Sequence, residues 1–223
     1  DRWQPLRERG LPIDFPFFSA PMVGLSHAAF RAVLRRYRPA GIRTLSFTEM
    51  LSSRRLPTER LGDRPETSFD AAENDLVPQL AGSESRFLVA SIEKLRAMKP
   101  VALDLNMGCP VAHAFRRDWG VALMADPRRA EAVVRECVRH APWPVSVKIR
   151  TGLSDDLEHL LDFARMLEDA GAAWITVHPR IAAAKRRGRA RWEYIGRVRD
   201  AVAIPVVGNG DVQTAEDALE LQR

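Results

Sequence analysis

Lysine and cysteine are both scarce in this chain. Among 34 basic residues only Lys94, Lys99, Lys148 and Lys185 are lysines, so arginine carries nearly all the positive charge. Two cysteines, Cys109 and Cys137, cannot build a disulfide framework and suit a reducing compartment, which makes a cytoplasmic location the expectation. No run of ~18 apolar residues is present, so no transmembrane helix is expected. Residues 1–5 have no apolar core of the signal-peptide kind. A Gly-x-Gly-x-x-Gly turn is missing, which argues against an open dinucleotide-binding sheet. No internal repeat or low-complexity tract appears.

What is there suits one large domain with a sizeable core: 223 residues, 46% hydrophobic and 28% charged. The formal net charge of +5 is borne by arginine forks, which match phosphate geometry. A polyanionic partner fits that pattern, and so does a plain arginine-rich solvated surface.

Short apolar segments alternate with amphipathic helical patterns. Strands are predicted at 17–20, 44–47, 76–80, 101–105, 145–149, 174–177 and 205–208. Their apolar character is that of strands covered on both faces. Helices are predicted at 28–36, 85–98, 127–140, 157–170, 193–202 and 215–221. Asp126-Pro127 reads as an N-cap with proline at the first helical position, and Gly171 reads as a helix stop. Residues 51–75 lack periodicity and read as a long loop. This rhythm predicts a parallel α/β fold, and the absent dinucleotide turn favours a (β/α)₈ TIM barrel over an open sheet. About seven βα units precede Arg223, so residues 1–223 are expected to form one barrel domain truncated before its eighth strand.

The chemistry gathers at the predicted carboxyl ends of strands, where parallel α/β enzymes keep their sites. Asn-Met-Gly-Cys-Pro at 106–110 puts a lone thiol, Cys109, just after a strand. Gly108 lets backbone approach a ligand closely and Pro110 fixes the turn. Lys148 lies in an otherwise apolar strand, so it either meets an electron-rich ligand or reaches water at the strand tip. His178 ends the next strand and shares its mouth; alone it would read as a satisfied core group. No second histidine or carboxylate stands at ligand spacing, so no metal site is expected. Asn209 lies between Gly208 and Gly210, in a region where such barrels bind phosphate, although plain turns look the same. Pro21 and Met22 offer a rigid turn and a soft apolar surface to a flat ring. Gln79 reads equally as a core amide satisfied within the protein or as a partner for a heteroaromatic ring edge. Cys137, inside a helix, reads as packed in the barrel wall.

Seven elements in order resemble the tRNA-dihydrouridine synthases. They are Ala-Pro-Met-Val-Gly at 20–24, Phe-Thr-Glu-Met at 47–50, Pro-Gln-Leu at 78–80 and Asp-Leu-Asn-Met-Gly-Cys-Pro at 104–110. Val-Lys-Ile-Arg at 147–150, Thr-Val-His-Pro-Arg at 176–180 and Gly-Asn-Gly-Asp at 208–211 complete the set. The resemblance implies an FMN-binding (β/α)₈ barrel followed by a small helical domain that helps hold tRNA. It implies that FMN, reduced by NADPH, passes hydride to the C5–C6 double bond of a uridine in tRNA. It puts the catalytic cysteine at Cys109 and substrate contacts at Asn106 and Arg180. Flavin contacts fall on Pro21, Met22, Val23, Gln79, Lys148, His178, Asn209, Gly210 and Asp211. The loop 110–120 departs from the family pattern: no lysine follows Cys-Pro, and Trp119 stands where a glycine is usual.

Residue chemistry agrees with that transfer. Hydride added at C6 leaves negative charge toward C5, which must then take a proton. A thiol with an ordinary pKa of ~8.5 is protonated near neutrality and can be the general acid. Lys148 and His178 would stabilise negative charge on the flavin. Residues 185–191, with Arg54, Arg55, Arg116 and Arg117 in other loops, form a predicted collar that tracks phosphates around an extruded base. Two other readings remain open. One is an FMN-barrel reductase of a free pyrimidine, resembling dihydroorotate dehydrogenase, which needs no collar. The other is a non-catalytic RNA-binding barrel.

Overall fold

A computed structural model of the protein describes residues 1–8, 10–15, 17–111, 116–185 and 187–222. One parallel sheet contains six strands in sequential order: β1 (Ser46–Ser52), β2 (Leu76–Ala81), β3 (Leu103–Met107), β4 (Val145–Gly152), β5 (Trp174–Ile181) and β6 (Val206–Gly208). Each strand pairs with the one before it, which is the winding of a TIM barrel, but β1 and β6 stay as edges and the barrel is not closed. Helices α1 (Gln4–Glu8) and α2 (Ala28–Tyr37) precede β1. Then α3 (Ser85–Leu95), α4 (Pro127–His140), α5 (Leu157–Asp169), α6 (Trp192–Ala201) and α7 (Ala215–Gln222) follow β2 to β6 in turn. The predicted caps are present: Asp126 accepts the Arg129 amide at the start of α4, and Gly171 takes φ +96° after α5. No helix among the described residues is long and apolar enough to cross a membrane.

Period-2 alternation sorts the strand side chains into two cores. Leu103, Leu105, Val147, Ile149, Ile175 and Val177 pack against the helices, on Leu88, Ile92, Val133, Phe163, Leu167 and Val198. The alternate set, Phe47, Val77, Ala102 and Trp174, forms a second apolar cluster with Leu11, Ile13 and Leu45. Further along the same inward face stand Gln79, Asp104, Lys148 and Thr176. The interior therefore turns from an apolar floor to a polar mouth toward the carboxyl ends.

Among the described residues, six strands stand where seven were predicted. Residues 17–20 make one isolated bridge, Ser19 to Ser46, and Ser19 Oγ rather than a carbonyl accepts the Phe47 amide at 3.3 Å. Pro21 has no N–H with which to extend that pairing. Five strands also run further than the apolar runs suggested. β1 continues through Met50 into Leu51 and Ser52, the last two of which the sequence reading gave to the loop, and β3 continues through Asn106 and Met107. Polar residues in these strands mark the polar mouth and not a loop.

Pro78 stands inside β2 and cannot donate to the ladder. The β1 register slips opposite it: Phe47 pairs with Val77, and Met50 with Gln79. Thr48 Oγ1 accepts the Gln79 amide at 3.0 Å in place of a backbone carbonyl. Glu49, carried round by the bulge, accepts the Gly24 amide at 2.6 Å and so pins the 20–24 turn, where Gly24 has φ +80°. Fully buried Arg31 anchors α2 beside that turn, donating to Glu73 and to the carbonyls of Ser26 and Ser68.

Candidate active site

The register brings Gln79 of β2, Asp104 and Asn106 of β3, and Ser146 and Lys148 of β4 side by side at the mouth. A continuous hydrogen-bonded chain results. Ser146 Oγ donates to Asp104 Oδ1 at 2.6 Å, and Gln79 Nε2 donates to Asp104 Oδ2 at 2.7 Å. Asn106 Nδ2 donates to Gln79 Oε1 at 2.8 Å. Asn106 Oδ1 then accepts the backbone amides of Cys109 at 2.9 Å and Gly108 at 3.3 Å. The half-buried Cys109 is held from its other side by the Val121 amide, which donates to its carbonyl at 3.1 Å. Gly120, with φ +58°, approaches so closely that a Cβ there would lie 2.5 Å from that carbonyl oxygen. Only glycine fits both demands.

Burial sets the electrostatics of this cluster. It raises the Asp104 carboxyl to about 6, against the hydrogen bonds from Ser146 and Gln79 and the pull of Lys148. It lowers the Lys148 ammonium to about 8, with Arg150 adding to the effect while Asp104 and Cys109 oppose it. Lys148 is thus a poorly solvated cation whose charge the nearby Asp104 carboxylate helps to hold.

A second network lies across β5 and the end of β6. Arg180 Nη1 faces His178 Nε2 at 3.0 Å; a guanidinium only donates, so Nε2 accepts and the neutral imidazole carries its proton on Nδ1. Burial, followed by the charges of Lys148, Arg150 and Arg180, takes His178 down to about 3. Arg180 Nη2 donates to Asp211 Oδ1 at 2.5 Å and to the Gly188 carbonyl at 2.6 Å. Asp211 Oδ2 accepts the Ala190 amide at 2.6 Å, and Trp192 Nε1 donates to the Gly210 carbonyl at 2.9 Å. These bonds fasten the loop after β5 to the β6 turn. A Cβ at Gly210 would lie 2.7 Å from the His178 ring, so this glycine makes room for a histidine. The Asn209 amide is committed to the Val177 carbonyl at 3.0 Å.

Between apolar walls that include Phe17, Phe18, Pro21 and Met22 opens a cavity of about 360 Å³, which Lys148, Thr176, Asn209, Gly210 and Asp211 also line. Six of the predicted site residues therefore meet around one space: Pro21, Met22, Lys148, Asn209, Gly210 and Asp211. Gln79, Asn106 and Cys109 belong to the first network, and His178 and Arg180 to the second. Val23 is largely exposed, at 70%. Flat apolar walls facing a half-buried ammonium suit a planar heteroaromatic group with an electron-rich edge. Among the described residues, no His, Cys, Asp or Glu cluster is arranged to hold a metal ion. Cys137 is buried in α4, its thiol pushed up to about 12 by burial, and is inert.

The sequence reading missed Asp104, Ser146 and Gly120. A signal for Asp104 was present: it stands two residues before Asn106 in a strand, hence on the same face. The predicted collar divides. Lys185, Arg187 and Arg189 are exposed, as is Arg116, while Arg117 stacks over Trp119 at 5.4 Å. Arg54 instead pairs with Glu84, and Arg55 with Glu59 and Glu66. Arg186 and residues 112–115 lie outside the described residues.

The dihydrouridine synthase (Dus) family model matches residues 18–222. A probable tRNA-dihydrouridine synthase 1 of Synechocystis sp. is 34% identical over 217 residues, covering 97% of this chain and 60% of the relative. A probable tRNA-dihydrouridine synthase of Rhizobium leguminosarum bv. phaseoli is 33% identical, covering 92% of this chain and 63% of the relative. The tRNA-dihydrouridine synthase B of Shewanella oneidensis is 31% identical, covering 89% and 61% respectively. The chain thus spans about three-fifths of the length of these curated relatives.

Proposed function

The chain belongs to the dihydrouridine synthase family, and on that premise we propose that the protein reduces the C5–C6 double bond of a uridine in tRNA. The observation that carries this reading is Lys148: it lines the cavity, and it stands in register with Asn106, whose Oδ1 accepts the Cys109 backbone amide. That register supports reading the cavity and the Cys109 turn as parts of one site.

The cofactor in this reading is FMN, with NADPH as its reductant. Pro21 and Met22 would lie against it, Lys148 would meet its electron-rich edge, and Asn209, Gly210 and Asp211 would border it. Bound there, the reduced flavin supplies hydride to the pyrimidine. Cys109 delivers the proton to C5 as general acid. Asn106 and Arg180 bind the base from the two flanking networks. Gln79 and His178 orient those two residues and face the cofactor's side of the mouth. Lys185, Arg187 and Arg189 bear on the tRNA phosphates, and the reaction belongs to the cytoplasm.

The decisive test maps dihydrouridine in tRNA from a deletion strain complemented with the wild-type gene or with Cys109→Ala. The alanine protein should retain bound yellow flavin while turnover drops about 10²–10⁴-fold, the usual share of a general acid. Undiminished turnover would remove Cys109 from the mechanism. Activity on a free pyrimidine with none on tRNA would move the protein to the dihydroorotate dehydrogenase-like alternative.

A further inference from the structure

We propose that Asp104 is a positioning residue for Cys109, acting through the orientation of two side-chain amides. The inference rests on the reading of Cys109 as the proton donor. The chain of bonds has two fixed ends. At one end, Asp104 Oδ2 accepts from Gln79 Nε2 at 2.7 Å. At the other, the backbone N–H groups of Gly108 and Cys109 only donate. Two amides, Gln79 and Asn106, connect these ends, and each can face either way. Only one arrangement satisfies every link: Gln79 gives its NH₂ to Asp104, its carbonyl takes the Asn106 NH₂, and the Asn106 carbonyl takes the two backbone amides. Turning either amide would set donor against donor or acceptor against acceptor in a largely buried site, where water cannot readily replace the lost partner. Asp104 does not line the cavity, yet it anchors the far end of the chain of bonds that holds the Cys109 turn.

The second oxygen of Asp104 keeps that role steady. Ser146 Oγ donates to Oδ1 at 2.6 Å, so the carboxylate cannot rotate freely about its own bond. Thr48 Oγ1 fixes the Gln79 backbone from the other flank at 3.0 Å. An asparagine at 104 would preserve the arrangement: its carbonyl would still accept from Gln79, and its NH₂ would donate to a Ser146 hydroxyl rotated to accept. A leucine at 104 would leave Gln79 without its anchor. Orientation and charge are therefore separable by substitution.

The test reads the backbone and the thiol of the purified full chain and not only turnover. Amide hydrogen exchange at Gly108 and Cys109, with the rate of Cys109 alkylation by iodoacetamide, is compared in wild type, Asp104→Asn and Asp104→Leu. The buried Cys137 is the silent internal control. Asp104→Leu should speed exchange at both amides at least tenfold and change the alkylation rate several-fold, while Asp104→Asn stays within about threefold of wild type. If circular dichroism shows Asp104→Leu unfolded, Gln79→Met cuts the same chain one link further along and should give the same loss of protection. Protection unchanged in the folded cut variant would overturn the proposal, and so would an asparagine variant as disturbed as the leucine one. Cys109→Ser separates the two ideas. It should keep the amide protection while losing tRNA reduction; if it stays active, the proton-donor reading fails whatever the exchange data say of Asp104.

Discussion

Two polar networks flank Lys148, and they are built on different principles. The one under Cys109 runs Ser146, Asp104, Gln79, Asn106, entirely through strand residues whose register fixes their neighbours. It uses one carboxylate and two neutral amides, and its product is direction. The one around Arg180 joins a strand to a loop through an ion pair with Asp211 and carbonyl contacts at Gly188. Its product is attachment. The contrast teaches that a relay of side-chain amides suits an atom that must be aimed, while an ion-paired clasp suits a segment that must be held in place.

Lys148, which belongs to neither, gives the largest effect. Lys148→Met removes the cation from the cavity wall. We expect flavin to be held at least tenfold more weakly and kcat/KM to fall about 10²-fold or more, by flavin titration and tRNA assay. The two networks should respond oppositely to pH. His178, held near 3 against an ordinary ~6.5, adds stability above pH ~6.5 that is lost as pH falls through 3. Asp104, raised to about 6 from ~3.9, adds stability below pH ~3.9 that is lost as pH rises through 6. Thermal melts across pH 3–7 should show each slope removed separately by His178→Asn and Asp104→Asn, each on the order of a few kcal/mol.

Smaller effects sharpen the same contrast. Arg180→Met should cost about 1–3 kcal/mol and raise proteolysis within 185–191, because Asp211 and the Gly188 carbonyl lose their donor. Replacing Lys185, Arg187 and Arg189 together with glutamine should lower the salt slope of tRNA binding by about 2 with melting unchanged. Arg54→Ala and Arg55→Ala should shift that affinity least of all, since glutamates already occupy those guanidinium groups.

How much of this was readable beforehand depended on whether a residue's role is local. The order of strands and helices follows from apolar runs and caps such as Asp126, which act within a few residues of chain. Lys148 and His178 stood out because polar residues at apolar strand tips are costly. Asp104 did not, because its meaning lies in Gln79 and Ser146 on neighbouring strands, and pairing register is not written in either segment alone. The division of the collar was equally hidden: Arg54 resembles Arg187 in sequence, and only the fold brings Glu84 beside the first. The loss of the strand at 17–20 turned on one hydroxyl, Ser19 Oγ, taking an amide that a carbonyl would otherwise have accepted.

The proline within β2 has a reach beyond its own strand. Because Pro78 withholds one amide, β1 buckles, and the buckle hands a glutamate to the turn that forms the cavity rim. A Pro78→Ala chain would offer β1 the chance to flatten, and a flattened β1 would draw Glu49 back from Gly24. The width of an opening lined by Pro21 and Met22 is in this way governed by a ring that never faces it.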